Sequence, residues 1–335
     1  MIVAEKYSLR PNKLVIFNEV SFNTSSDYDK EILKSRIVRP KLTKKFHNFQ
    51  ISVNAYRNLK DKINWLYFLS NKKNIKTYNK KKIFNFKMCF LTLTLPSKQL
   101  HPTSQITKDC LNQFFIELKS RINLENYVWR LEFQKNKNVH YHIVTDSYID
   151  YYLALKIWNR IIEKLGYVSN YQKKFKNISL FDYNKMTNKN NYTEFETIAK
   201  RYYKGRSEKW KMPNTIDVKS VTNNKKISNY IAKYFGKNDD SKNLCNELDN
   251  EGNSKSLRLW FCSRKLSKLK SVTDYTENCR KEIKIIIEKY AKVKLIIHKY
   301  CQVIYYTFEN NNLKLKRLIE KYLKEYALEL GYNSR

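Results

Sequence analysis

His140 and His142, one residue apart in VHYHIV, and Glu132, eight positions before the first of them in YVWRLEFQ, are side chains of metal-ligand type. Two imidazoles and a carboxylate make a mixed nitrogen and oxygen donor set, suited to a divalent ion that polarises a phosphate. Further along, NYIAKYFGK places Tyr230, Lys233 and Tyr234 at helical spacing beside an apolar stripe of Ile227, Ile231 and Phe235. A phenol ionises near pH ~10, so a tyrosine nucleophile needs a cation or a metal-held phosphate close by to react at neutral pH. A lysine between two phenols, with a metal site upstream, supplies the parts needed to attack a phosphodiester. The plainer alternatives are a polar strand face for the histidines and a helix packed by aromatics for the tyrosines, in a chain that has 26 tyrosines to pair.

The elements that must position these groups show in the periodicity. Tyr127 to Gln134 alternates Trp129, Leu131 and Phe133 against Arg130, Glu132 and Gln134, the pattern of a half-buried strand. KNKN makes a turn, and VHYHIV then sets Val139, Tyr141 and Ile143 against the two histidines. For Glu132 to share their face in an antiparallel hairpin it must lie opposite His140 or His142, because a slip of one residue would turn the histidines into the core. Gln134 shares the face of Glu132, as a ligand or as a partner of one.

Three motifs, taken in order, resemble the HUH endonucleases that initiate rolling-circle replication, and most closely the initiators of Microviridae-type single-stranded DNA phages. CFLTLTLP (Cys89 to Pro96) is similar to the first, VHYHIV with its upstream Glu132 to the second, and YIAKY to the third in its two-tyrosine form. RLWFCSRKL (Arg258 to Leu266) resembles a segment that follows the tyrosine motif in such phage proteins. The resemblance covers roughly residues 85 to 267 and lies in the combination of motifs. It implies a divalent metal, Mg²⁺ or Mn²⁺, on His140, His142 and Glu132, attack by Tyr230 or Tyr234 assisted by Lys233, a single-stranded DNA origin as substrate, and a host polymerase and helicase as partners. A cysteine cluster near the N-terminus, found in some of these initiators, is missing here. Tyr141 stands between the histidines where an aliphatic residue is commoner.

Bulk properties agree with a nucleic-acid partner. The 335 residues hold 66 Lys and Arg against 31 Asp and Glu, a formal charge of +35, which attracts phosphates. Aromatic residues, 14% of the chain, interleave with lysine in YNKKKIFNFK and KRYYKGRSEKW, which suits stacking on unpaired bases. Part of the Lys, Asn, Ile and Tyr content also fits an AT-rich genome. Six scattered cysteines without a CxxC read as free thiols in a reducing compartment. Without an export signal or about 18 consecutive apolar residues, the expectation is a soluble protein of the bacterial host cytoplasm, with no membrane partner.

The expected fold class is α+β, a ferredoxin-like antiparallel sheet with helices on one face and the other left free for the metal. The expected organisation is an N-terminal arm and helix over 1–84, an endonuclease core over 85–270 and a C-terminal helical extension over 271–335. Residues 1 to about 50 read as an irregular arm, Asn54 to Ser70 as a helix, and NKKNIKTYNKKK as a lysine-rich connector. The core should hold a strand over Lys87 to Leu95, a helix over Thr107 to Ile122, and one over Asp150 to Leu165 ended by Gly166. Tyr171 to Lys211 reads as loops with one strand at most, an insertion in contact with DNA. Lys237 to Ser256 reads as a surface loop, and the segments beyond Lys281 as helical, with His298 structural. Three rivals stand beside this reading: a plasmid initiator, relaxase or transposase of the same superfamily, a non-catalytic single-stranded DNA-binding protein, and a zinc hydrolase that activates water.

Overall fold

The computed structural model describes residues 2–21, 53–76, 83–188, 193–221, 258–270, 277–298, 301–308 and 312–332. Its strands are β1 (Ile2–Arg10), β2 (Lys13–Ser21), β3 (Lys73–Lys76), β4 (Ile83–Phe86), β5 (Met88–Thr94), β6 (Tyr127–Phe133), β7 (Val139–Thr145), β8 (Ile216–Val221), β9 (Trp260–Cys262), β10 (Ala291–His298) and β11 (Cys301–Phe308). Its helices are α1 (Val53–Leu69), α2 (Asn112–Ile122), α3 (Tyr151–Glu163), α4 (Tyr167–Phe175), α5 (Leu180–Thr187), α6 (Phe195–Ser207), α7 (Arg264–Lys268), α8 (Glu277–Tyr290) and α9 (Leu313–Glu329). They fall into two compact units, one drawn from Met1–Asn48, Lys60–Leu69 and Arg264–Ser334, the other from Phe49–Leu59 and Ser70–Ser263.

In the second unit, β5, α2, β6, β7, α3 and β8 follow the strand–helix–strand–strand–helix–strand order of a ferredoxin-like fold. The sheet order is β8-β5-β7-β6-β9 and each pairing is antiparallel, with β9 added beside β6. The α+β expectation therefore holds. Period-two alternation sends Leu91, Leu93, Trp129, Leu131, Tyr141 and Ile143 to one face, where they pack against Phe114 and Leu118 of α2 and Trp158 and Ile162 of α3. Each such side chain contributes roughly 1.5–3 kcal/mol on burial. Trp158 is the central piece. It is fully buried, meets the Phe114 and Tyr141 rings edge-on at 5.7 and 6.4 Å, and its Nε1–H donates to Thr94 O over 2.9 Å.

Local signals set the helix limits. Asp150 caps α3, its carboxylate accepting the Leu153 N–H at 2.9 Å. Gly166, at φ +76°, turns the chain directly into α4, in a backbone region that favours glycine. The helix expected from Thr107 begins earlier, with a short turn over Thr103–Gln105 and a π-helical segment over Ile106–Leu111 ahead of α2.

Three expectations need correction. Tyr171 to Lys211 is helical: α4, α5 and α6 close over a cluster of Phe175, Tyr183, Ile198, Tyr202 and Trp210. Its polar residues broke the apparent period, but five apolar side chains suffice when they converge. The lysine-rich connector holds a strand pair, with β3 against β4 in the register Ile75↔Phe84. The termini are also not an irregular arm and an all-helical extension. In the first unit, β1 and β2 form a hairpin, and the apolar run after α8 continues as β10, giving an antiparallel sheet of order β1-β2-β11-β10. The alternation of Lys292, Val293, Lys294 and Leu295 fits a strand once β11 supplies backbone partners. His298, expected to be structural, is exposed at the end of β10. The sheet thus joins residues of the expected arm and extension through β2 and β11. Tyr7, Leu9, Leu14, Ile16, Ile304 and Tyr306 are buried in this unit, and Trp65, also buried, donates from Nε1 to Lys270 O at 3.1 Å.

Candidate metal centre

The β6–β7 register places Glu132 opposite His140 and Arg130 opposite His142, while β5 sets Thr92 opposite His142 and Thr94 opposite His140. All six alternate away from the helix-covered face, so Glu132 and both histidines share a surface. The loop from Gln134 to Asn138 keeps this register through a bond from the Gln134 N–H to Asn138 O at 2.9 Å, with Lys137 at φ +69°. Tyr141 turns the other way, fully buried, its hydroxyl 2.7 Å from Thr107 Oγ1.

This face is not fully open. Phe90, Val128, Val144 and His142 are buried, whereas Glu132, Gln134 and His140 are half-buried at the end nearer the hairpin turn. Phe90 stacks on the His142 ring at a centroid distance of 5.6 Å and fixes its plane.

The side chains form two linked chains of contact. In one, His142 Nε2 lies 3.0 Å from Glu132 Oε2 and His142 Nδ1 lies 3.4 Å from Thr92 Oγ1. In the other, the Gln134 amide donates to His140 Nδ1 over 3.2 Å, and Thr94 Oγ1 donates to Gln134 Oε1 over 3.3 Å. The two imidazole rings cross at 80° with centroids 4.5 Å apart. Arg130, buried, brings Nη1 to 3.4 Å from Glu132 Oε1.

Burial, together with the neighbouring His142, pushes the His140 pKa down to about 4, against a smaller opposing pull from Glu132. His140 is therefore a neutral imidazole at pH 7, the form that ligates metals. Glu132 Oε1 is a buried oxygen without a hydrogen-bond partner. These donors suit a divalent cation in kind. Their rotamers are turned to protein partners, however, and among the described residues no group of three or more His, Cys, Asp or Glu stands ready to hold an ion. Ligation would require His142 Nε2 and Glu132 Oε2 to exchange their mutual contact for the metal.

Sequence reasoning passed over Arg130, Thr92 and Thr94. Their signal was the same alternation that exposed the ligands: Arg130 sits two positions before Glu132, and the threonines are the polar half of LTLT. Trp260, in the segment expected to follow the tyrosine motif, pairs with Arg130 across β9 and β6. Tyr230, Lys233 and Tyr234 lie outside the described residues, as does the expected loop over Lys237 to Ser256. Cys89, Cys110, Cys262 and Cys301 are free thiols. No described helix is long and apolar enough to cross a membrane.

Residues 88–239 match the family model of a replication-associated protein of the ORF2 type. The matched span contains β5 through β8, with all three candidate ligands, and runs through YIAKY. The chain is thus similar to replication-associated proteins over this block, which supports a replication initiator with DNA as its partner. No curated protein and no solved structure gives a significant match.

Proposed function

We propose that this chain is a metal-dependent HUH-type endonuclease that initiates rolling-circle replication of a single-stranded DNA phage of the Microviridae type. The observation that carries the reading is the shared sheet face on which Glu132 lies opposite His140 and 3.0 Å from His142. His140, His142 and Glu132 would hold a Mg²⁺ or Mn²⁺ ion, which when bound polarises the scissile phosphate and offsets the charge that develops on it.

The phenol oxygen of Tyr230 or Tyr234 attacks phosphorus at the origin. A tyrosine–phosphorus bond forms, the bond to the 3′-oxygen breaks, and the phenol proton is lost as the departing oxygen gains one. The products are a 5′-phosphotyrosine link and a free 3′-OH for a host polymerase, with a host helicase opening the duplex. Lys233 orients the phosphate and favours the phenolate. The second tyrosine attacks the regenerated origin after one round, so that the strand is rejoined as a circle. The setting is the cytoplasm of the bacterial host.

The test uses labelled single-stranded DNA from the protein's own replicon, with Mn²⁺ or EDTA, followed by denaturing electrophoresis. A metal-dependent covalent adduct that disappears in Tyr230→Phe/Tyr234→Phe is the expected result. Salt-sensitive binding without any adduct would replace this reading with a non-catalytic DNA-binding protein, and cleavage without an adduct would replace it with a hydrolase. A requirement for only one tyrosine in strand transfer would favour a plasmid initiator, relaxase or transposase.

A further inference from the structure

The helical insertion between α3 and β8 is built onto the end of the sheet where the candidate ligands lie. At its start, the buried Tyr167 accepts the N–H groups of Leu100 and His101 at its hydroxyl, each at 3.2 Å, and its carbonyl accepts Ser97 Oγ at 3.2 Å. The segment after β5 that Tyr167 holds is also tied to the β6–β7 turn, with Asn138 Nδ2 donating to Ser97 O at 2.7 Å and Gln99 N to Asn138 Oδ1 at 2.9 Å. At the far end, Asn159 Nδ2 donates to Pro213 O at 3.0 Å and Thr94 N to Thr215 O at 3.0 Å. Thr94 is the cross-strand partner of His140. Both attachments therefore anchor α4, α5 and α6 beside Glu132, Gln134 and His140.

The insertion needs only its inner aromatics to fold. Phe175, Tyr183, Tyr202 and Trp210 face inward, leaving Phe181, Phe195 and Tyr203 exposed by 74%, 59% and 59%. An aromatic ring left in water gains nothing from folding, and three on one small module mark a contact surface. The surrounding charge selects the partner. From Tyr167 to Lys211, the described residues carry ten Lys and Arg, all exposed, against four Asp and Glu. On α6, Lys200, Tyr203 and Lys204 share one side by i, i+3, i+4 spacing. Cations that neutralise a phosphate backbone, with aromatic faces between them, suit unpaired bases; paired bases in a duplex offer no open face to stack on.

We infer that α4–α6 form a grip for single-stranded DNA, with Phe195 and Tyr203 stacking on unpaired bases flanking the strand presented to the metal centre. The position of the grip beside that strand rests on the proposed nicking function; its preference for single strands rests on the insertion alone.

The test is fluorescence anisotropy of the full chain with labelled dT20 and with a hairpin duplex of equal charge, for the unaltered protein, Phe195→Ala/Tyr203→Ala and Lys200→Gln/Lys204→Gln. The aromatic pair should weaken dT20 binding by about 10-fold or more, with duplex binding unchanged. The lysine pair should flatten the dependence of log affinity on log salt by about 0.7 for each phosphate contact removed. Because all four side chains are exposed, melting curves should match those of the unaltered protein, and the lysine pair is decisive if the aromatic variant misfolds. Unchanged dT20 affinity in both variants, or equal losses on dT20 and duplex, would overturn the grip. Adduct formation by the unaltered protein is scored separately: its absence removes the nicking reading while the dT20 comparison still decides the grip.

Discussion

Glu132 lies across the hairpin from His140, yet its Oε2 contacts Nε2 of His142, 3.0 Å away. The diagonal is the natural reach of a long side chain between antiparallel strands, and it leaves His140 to Gln134. One carboxylate thereby links both sides of the histidine motif, and Arg130 anchors its other oxygen.

Replacing Glu132 by Gln keeps the shape and removes the charge. Mn²⁺ binding, read by calorimetry, should weaken by about 100-fold, and adduct formation should fall with it, since an effect on a ligand should be at least as large as that on a ligand's supporting partner. Unchanged Mn²⁺ affinity would remove Glu132 from the ligand set.

Gln134 should act through His140 rather than on the ion. Its amide now donates to Nδ1, which places the proton of neutral His140 on Nε2. If His140 ligates through Nε2, the amide must turn so that its oxygen accepts from Nδ1–H. Gln134→Glu, an acceptor, should retain Mn²⁺ affinity, whereas Gln134→Leu should lose about 10-fold. Imidazole ¹⁵N shifts would report the tautomer, and equal affinities in the two variants would refute the relay.

The metal-free protein should lose stability on mild acidification. His140 has a folded pKa of about 4, below its ordinary value of 6.5, so folding favours the neutral ring. That contribution is complete above pH 6.5 and is lost as the pH falls through about 4, with a size on the order of a few kcal/mol. Melting temperatures between pH 8 and pH 4 in EDTA should decline more steeply for the unaltered protein than for His140→Gln; parallel declines would refute the assignment.

Gly205 is required by contact rather than by backbone angle. A Cβ there would stand 2.1 Å from the Trp210 ring, and the Trp210 N–H already bonds Gly205 O at 2.7 Å. Gly205→Ala should destabilise the α4–α6 cluster by about 1–3 kcal/mol. Limited proteolysis should then cut within residues 167–211 while Trp158 stays protected.

Trp158→Ala should cost about 3–5 kcal/mol, because it leaves a large cavity between the sheet and both helices and removes the bond to Thr94. Thermal unfolding measures this, and a loss below about 1 kcal/mol would mean that the core closes around the gap.

What the sequence by itself determined was the identity of each face. Strict alternation through YVWRLEFQ and VHYHIV assigned Trp129, Leu131, Tyr141 and Ile143 to the core and Glu132, His140 and His142 to the opposite side, because a strand's side-chain period of two leaves no other choice. The α+β class and the order of the core elements followed from the same patterns. Tertiary structure alone decided which donor meets which, since the diagonal from Glu132 to His142 and the relay from Thr94 through Gln134 depend on the register of three strands. It also decided two elements that local pattern misassigned. Residues 291–298 become a strand because β11 supplies hydrogen-bond partners that an isolated apolar run lacks, and residues 171–211 become helices because Phe175, Tyr183 and Trp210, separated in the chain, bury one another once the ends of the insertion are tied to the sheet.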